Sequence, residues 1–309
     1  MAHRSGPPLA PRIGRGLLLA LFSALFVLYV AGPVGWLVSS SLQTEAQITA
    51  VPPNWLPPNP TVANFEAIFT AADREVTYET RRLGDPATGG FLPSGAANLL
   101  PSLWNSLTVG LWVAVLNLVL SLTAAYAIAV IDFRGRKSVL YTVLATRVIP
   151  DIALVVPLFL VVRNLGLINS LGALVVTYLA VTVPFTIFIL ISYFEGIPRD
   201  RYRAARIDGC GHWGALRHVY LPLSLPALVA SLTFAFLTSW NEFVFALVLT
   251  QNVAAQTLPI VISGLIMDFT ASFSFVNAAG VIAIIPPVLM AILFQRYIVS
   301  GLTAGAVKG

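Results

Sequence analysis

Charge is what this sequence has least of. Asp, Glu, Lys and Arg make up 10% of its 309 residues, against about 25% in a typical soluble domain. A water-facing surface for a globule of this length cannot be assembled from so few, which excludes a cytosolic enzyme, a disordered scaffold and a fibrous protein. Cysteine occurs once, at Cys210, so an internal disulfide framework and a cysteine-based metal cage are excluded. The histidines are equally sparse: His3 lies in a tail, and His212 and His218 share a loop without a third ligand, so no metal site is expected. There is no Gly-x-x-x-x-Gly-Lys-Ser/Thr run to cradle a phosphate, no nucleophile–base set, no solenoid-period repeat and no basic surface interleaved with aromatics for nucleic acid. Hydrophobic residues, at 57%, are what is present instead. The chain uses lipid as its solvent.

A helix needs about 20 mostly apolar residues to cross roughly 30 Å of hydrocarbon while satisfying its own backbone. Six stretches qualify, at 16–37, 106–131, 138–162, 171–194, 223–250 and 275–299. The expected fold is therefore an all-α integral membrane protein with six transmembrane helices, the fifth and sixth long enough to be tilted or broken. The first stretch follows a basic N-terminus, as a signal peptide would. Its apolar region is too long for one, and Pro33, Gly35 and Trp36 do not make a small-residue cleavage site. It is read as a retained helix.

Basic residues set the orientation. Arg4, Arg12 and Arg15 precede the first span; Arg134, Arg136 and Lys137 follow the second; Arg199, Arg201, Arg203, Arg206 and Arg217 follow the fourth; Arg296 and Lys308 close the chain. Arg74, Arg81, Arg82 and Arg163 fall on the other side, and Arg147 lies inside the third span. The positive-inside rule places both termini in the cytoplasm, as an even number of spans also requires. The resulting organisation is a cytoplasmic tail at 1–15, a first span at 16–37, an extracytoplasmic segment at 38–105, a core of five spans at 106–299 and a second cytoplasmic tail at 300–309. The Pro-rich outer segment, with Pro52, Pro53, Pro57, Pro58 and Pro60, is expected to form short helices over the membrane face.

The inner loop at 195–222 is far longer than a turn between two spans requires. Pro198 can open a helix over Arg199 to Ile207, Asp208-Gly209 turns the chain, and a second short helix at about 213–220 is expected to end at Pro222. Two short helices around a glycine turn make a knob suited to a groove on another protein.

Within this loop stand Arg203-Ala204-Ala205-x-x-Asp208-Gly209-Cys210, eight residues, then Val219-x-Leu221-Pro222 and Pro226. The pattern resembles the EAA loop of bacterial ABC importer permeases, Glu-Ala-Ala-x-x-Asp-Gly-Ala, eight residues, Ile-x-Leu-Pro. Trp240-Asn241-Glu242 and the ending from Arg296 through Gly301 to Gly309 are similar to the carbohydrate-uptake branch with the type I (MetI/MalG-like) fold. The resemblance covers roughly 14–309 and is weak at 70–100, which looks like an insertion. It implies that Arg203, Ala204, Ala205, Asp208, Gly209, Leu221 and Pro222 belong to a coupling loop that seats in an ATP-binding subunit. Ala204, Ala205 and Gly209 would allow close approach there. Arg203 stands where the family has Glu and Cys210 where it has Ala; the first puts one ionic contact in doubt or implies an acidic partner residue. The resemblance further implies that the tail Gly305, Ala306, Val307 and Lys308 contacts the ATP-binding dimer, and that the loop 251–270 reaches into a substrate-binding protein.

Intramembrane charges are expensive and mark a cavity or a partner. Arg147 and Asp151 are spaced to share one face of the third span, with Pro150 between them. They form either a self-neutralising pair, which the spacing favours, or a polar element of a pathway or gate. Trp240, Asn241 and Glu242 in the fifth span offer an aromatic face, an amide and a carboxylate, as a sugar pathway needs; the same residues could pack against a partner permease. Asn277 and the Pro286-Pro287 pair in the sixth span are similar candidates, and a helix break at the prolines suits a pathway.

The function implied is that of a permease subunit in an ATP-driven importer of a sugar of the di- or oligosaccharide type. Its partners would be a second homologous permease, two ATP-binding subunits, an extracytoplasmic substrate-binding protein and membrane lipid. ATP and Mg would be held by the partner subunits and no cofactor by this chain, which is not an enzyme by itself, although the whole complex would be an ABC-type carbohydrate translocase. The location implied is a bacterial or archaeal cell (inner) membrane. A glycerophosphate or polyol permease is the main alternative, and an ion-coupled secondary transporter a more remote one.

Overall fold

The computed structural model describes residues 10–71, 93, 95–267 and 272–306, with side chains over 16–71, 93, 95–267 and 272–297. Among the described residues every regular element is a helix. Four helices are long and apolar enough to cross a membrane: Gly16–Ser41, Ala96–Val130, Leu171–Glu195 and Phe273–Tyr297. Two further bent pairs bring the total to as many as six. The chain divides into two compact units, Met1–Ser94 with Asp268–Ile282, and Gly95–Met267 with Ala283–Gly309.

In the first unit α1 (Ala10–Ser41) presents Leu17 to Tyr29 without an internal partner, as a helix apolar on every side does when lipid surrounds it. Its outer end is tied down by the Pro-rich segment. The Ser39 hydroxyl donates to the Trp55 carbonyl at 2.7 Å, and the Trp55 ring meets Trp36 edge to face at 5.2 Å. Two short helices follow, α2 (Glu45–Ile48) and α3 (Ala63–Thr70). From α3 the buried Asn64 amide donates to the Ser41 and Gln43 carbonyls, both at 2.9 Å. Most of the insertion at 70–100 lies outside the described residues.

The second unit is built on α4 (Leu99–Val130), α7 (Leu171–Glu195) and α10 (Leu225–Trp240), which pack on one another. Lipid tails are as apolar as these helices, so close backbone approach and interhelical hydrogen bonds hold them together. Asn117 of α4 donates to the Thr186 hydroxyl of α7 at 2.8 Å. Gly110 of α4 admits the Phe236 ring of α10 so closely that an added Cβ would stand 2.9 Å from it. Val109, Val113, Leu174, Ala235 and Leu249 form one core. A second, around Ile187, Leu190, Phe194, Leu216 and Tyr220, lies beneath the 195–222 loop.

Two of the expected spans are not single helices. The third is split into α5 (Arg136–Thr146) and α6 (Asp151–Asn164), bent by 97°. Pro150 causes the break: the residue before a proline is pushed out of the helical region, and a proline at the next helix's start lacks only an N–H that has no partner there. The fifth span begins with an 81° bend at Ser224, between α9 (His212–Leu223) and α10, and stops at Trp240 before resuming as α11 (Val244–Leu249). Conversely, the sixth helix, α13 (Phe273–Ala306), runs through Pro286 and Pro287 without interruption, where a break was expected. The outer stretch after α11, expected as a loop, includes the apolar helix α12 (Leu258–Met267), with Leu258, Ile260, Val261 and Leu265 buried.

Candidate functional site

The 195–222 loop folds as the expected knob. Its first helix, α8, spans Arg199–Ile207, begins after Pro198 and ends at Asp208. Gly209 then takes φ +85°, a left-handed conformation that costs glycine little and other residues more. Its N–H reaches the Arg206 carbonyl at 3.2 Å, and the Cys210 N–H reaches Ala205 at 2.9 Å. These two bonds close the helix as a Schellman motif. The second helix, α9, contains a π-helical stretch at Leu216–Tyr220 and continues through Pro222, ending at Leu223 rather than at the proline.

Side chains fasten the knob to the helices behind it. The Tyr126 hydroxyl on α4 donates to the His212 carbonyl at 2.9 Å, and the Tyr202 hydroxyl meets the His212 Nδ1 at 3.0 Å. The rings of Tyr126, Phe194 and Tyr220 make mutual edge-on contacts at 5.3–6.4 Å. Facing outward are Arg203, Ala204, Asp208, Gly209 and Pro222, together with two apolar side chains, Ile207 at 85% and Trp213 at 71% exposure. The two alanines of the family pattern therefore part company. Ala204 is free to meet a partner, whereas Ala205 is buried within the chain itself and Leu221 is half-buried. Arg203 pairs with Asp200 one turn back at 3.2 Å, with both side chains well exposed. Ile207 and Trp213 were missed at the sequence level; the signal available was two large apolar residues flanking the Asp-Gly turn of an otherwise charged loop.

Inside the spans, the helix breaks converge. Asp151 at the start of α6, Tyr178 and Thr182 on α7, and Thr238, Ser239, Asn241 and Glu242 around the end of α10 line one cavity of about 300 Å³. Glu242 caps α11, its two carboxylate oxygens accepting the Phe245 and Ala246 N–H groups at 2.8 and 3.1 Å. The Asn241 amide donates back to Leu237 at 2.8 Å. Trp240 is buried and stacks on Phe236; with Asn241 it borders a second, more apolar cavity of about 510 Å³ beside α12.

Arg147 and Asp151 do not form a helical pair. The bend at Pro150 removes the common face, and the Arg147 guanidinium instead donates to the Val181 carbonyl at 2.9 Å and lies 5.9 Å from the Phe185 ring centre. Asn277 is half-buried on α13 and lines neither cavity. Gly305 and Ala306 fall in the last turn of α13, and Val307 and Lys308 lie outside the described residues. Among the described residues no group of three His, Cys, Asp or Glu side chains could hold a metal. The stretch before α12 is anchored to α4: Asn105 donates to the Ala254 and Gln256 carbonyls at 3.0 and 2.9 Å, and Ser106 accepts the Leu258 N–H at 2.8 Å.

Comparison with known proteins places this arrangement. Residues 117–304 match the model of the family described as binding-protein-dependent transport system inner membrane component. The sulfoquinovosyl glycerol transport system permease protein of Agrobacterium fabrum is 36% identical over 290 residues, 93% of each chain. The trehalose transport system permease protein of Mycobacterium tuberculosis is 35% identical over 301 residues, 96% of this chain and 98% of the relative. A crystal structure of a bacterial ABC transporter that imports the acidic polysaccharide alginate contains a chain with the same fold, at TM-score 0.76 and 23% identity, over 95% of this chain and 99% of that one. The helices, the knob and these matches agree: the chain is a multi-pass membrane protein and belongs to the family of binding-protein-dependent transport system inner membrane components.

Proposed function

We propose that this chain is one of two permease subunits of an ATP-driven importer that takes up a di- or oligosaccharide delivered by a substrate-binding protein. ATP and Mg belong to two partner ATP-binding subunits, and both termini face the cytoplasm of a bacterial or archaeal cell. The observation that carries the proposal is the knob, which presents Ile207 and Trp213 to solvent while tyrosines brace it from behind. A groove on an ATP-binding subunit would bury those two side chains together with Ala204. Because the knob is hydrogen-bonded to α4 and packed on α7, a displacement imposed on it by closure of the ATP-binding dimer passes into the spans rather than being absorbed by a loose loop. Transport then requires that ATP and the loaded binding protein favour different states of the pathway from those favoured without them. The sugar class is supported by the relatives, which are named for trehalose, maltose, diacetylchitobiose and arabinooligosaccharide transport.

The test is co-purification in mild detergent of the tagged chain with the products of its neighbouring genes, repeated with Gly209→Pro. Proline cannot adopt the +85° φ of this position. An ATP-hydrolysing complex from the unaltered chain that is lost or uncoupled by the substitution supports the proposal. A chain that purifies alone and transports without ATP refutes it.

A further inference from the structure

The cavity at the two helix breaks is not lined at random. Irregular backbone at membrane depth is tolerated where it lines a cavity, and interrupted helices mark binding sites in transporters. Here two separate interruptions, at Pro150 and at 241–243, contribute to the same cavity. Tyr178 adds an independent sign: it is 2% exposed and lines the cavity. Its hydroxyl faces the Glu242 carboxylate but has no hydrogen bond of good geometry among the described residues. A buried hydroxyl without a partner is costly, and such groups are retained where a ligand or water completes them.

Most of the other polar groups are already employed locally. The Thr182 and Ser239 hydroxyls donate to carbonyls of their own helices, and the Asn241 amide donates to Leu237. What they leave facing the cavity is mostly acceptors: the Asp151 and Glu242 carboxylates, the Asn241 carbonyl oxygen and hydroxyl lone pairs. Fewer donors are unspent, chiefly the Tyr178 and Thr238 hydroxyls. A lining of this kind matches a ligand that donates many hydrogen bonds and accepts few, as an uncharged polyol ring does. It opposes a carboxylate or sulfonate, which only accepts and would face two carboxylates that only accept as well.

We infer that this cavity is a subsite on this subunit for an uncharged, hydroxyl-rich solute, and that it turns away anionic sugars. The inference rests on the importer proposal and narrows it, separating this chain from the sulfoquinovosyl glycerol and alginate systems it is similar to. Tyr178 donates to a solute oxygen; Asp151 and Glu242 accept from its hydroxyls.

The experiment uses the whole complex reconstituted in liposomes with its binding protein, supplied with radiolabelled trehalose, maltose and cellobiouronic acid. ATP-dependent uptake of a neutral sugar and none of the acid is expected. Tyr178→Phe removes one oxygen and is expected to lower the sugar moved per ATP hydrolysed roughly threefold to tenfold, the worth of one neutral hydrogen bond. Asp151→Asn, at an exposed position with little bearing on folding, is expected to lower the same ratio and to admit measurable acid. Uptake of the acid by the unaltered complex overturns the inference, as do ratios unchanged in both variants; in either case the importer proposal survives. If an assembled complex takes up no sugar of the panel, or a sodium or proton gradient drives uptake without ATP, the importer proposal and the inference fall together.

Discussion

The knob and the cavity use tyrosine in opposite ways. On the knob, the hydroxyls of Tyr126 and Tyr202 both find His212, and the backbone between the helices is closed by a Schellman turn. In the cavity, Tyr178 is buried at 2% exposure, yet its hydroxyl lacks a properly placed partner. The knob is over-determined by these bonds. The cavity is formed where two helices stop, and its polar groups are left over rather than consumed. A transporter needs both: a stiff element on which a partner can push, and a pliant, unsatisfied one that a solute can complete.

The contrast can be broken experimentally. The largest effect is expected from the knob's outer face. Ile207→Ala with Trp213→Ala removes the exposed apolar anchors, and truncating a central interface anchor costs about 2 kcal/mol or more. The ATP-binding subunit should then be lost on dilution in a co-purification assay, while the chain alone stays monodisperse; undiminished retention would show that the knob is not the seat. Next comes the spans' internal packing. Gly110→Ala places a methyl 2.9 Å from a Phe236 ring carbon, and overpacking of this kind costs about 1–3 kcal/mol. A lower thermal midpoint in detergent checks it, and an unchanged midpoint would mean that the ring has room to retreat.

A smaller effect is expected from Tyr126→Phe, which deletes one hydrogen bond to the knob at about 1 kcal/mol. Binding of the ATP-binding subunit should survive while ATP hydrolysis becomes less dependent on loaded binding protein. Equal loss of both would make Tyr126 a part of the docking face. The smallest effect is expected from Arg203→Ala. Its pair with Asp200 is exposed on both sides, and such pairs contribute little to stability. The midpoint should not move, and any large change in assembly would reveal an acidic residue on the partner opposite Arg203.

Much of the knob was legible because its signals are local. Pro198, Asp208 and Gly209 bracket a helix whose bounds, Arg199–Ile207, are those the residues suggest. What was not legible is which face looks inward: Ala204 and Ala205 are adjacent in a common motif, yet one is exposed and the other packs internally. Hydropathy likewise counts apolar residues without seeing how they are joined. It finds the third span but not its 97° bend, and it treats Arg147 and Asp151 as helical neighbours although Pro150 parts them. Proline alone was not a sufficient guide, since α13 carries two in its interior and stays continuous.

Sequence by itself determined that the chain lives in lipid, which segments are apolar enough to span it and where the 195–222 loop turns, because hydrophobic run length and turn chemistry depend on residues close in the chain. Only the tertiary structure decided that Asp151, Tyr178 and Glu242 border one cavity. They come from two helices and from the break between two others, and their meeting depends on how α4, α7 and α10 pack and where the neighbouring helices break. Packing of that kind is set by side-chain shape across the bundle, through contacts such as Gly110 with Phe236, and no local pattern in the sequence encodes it.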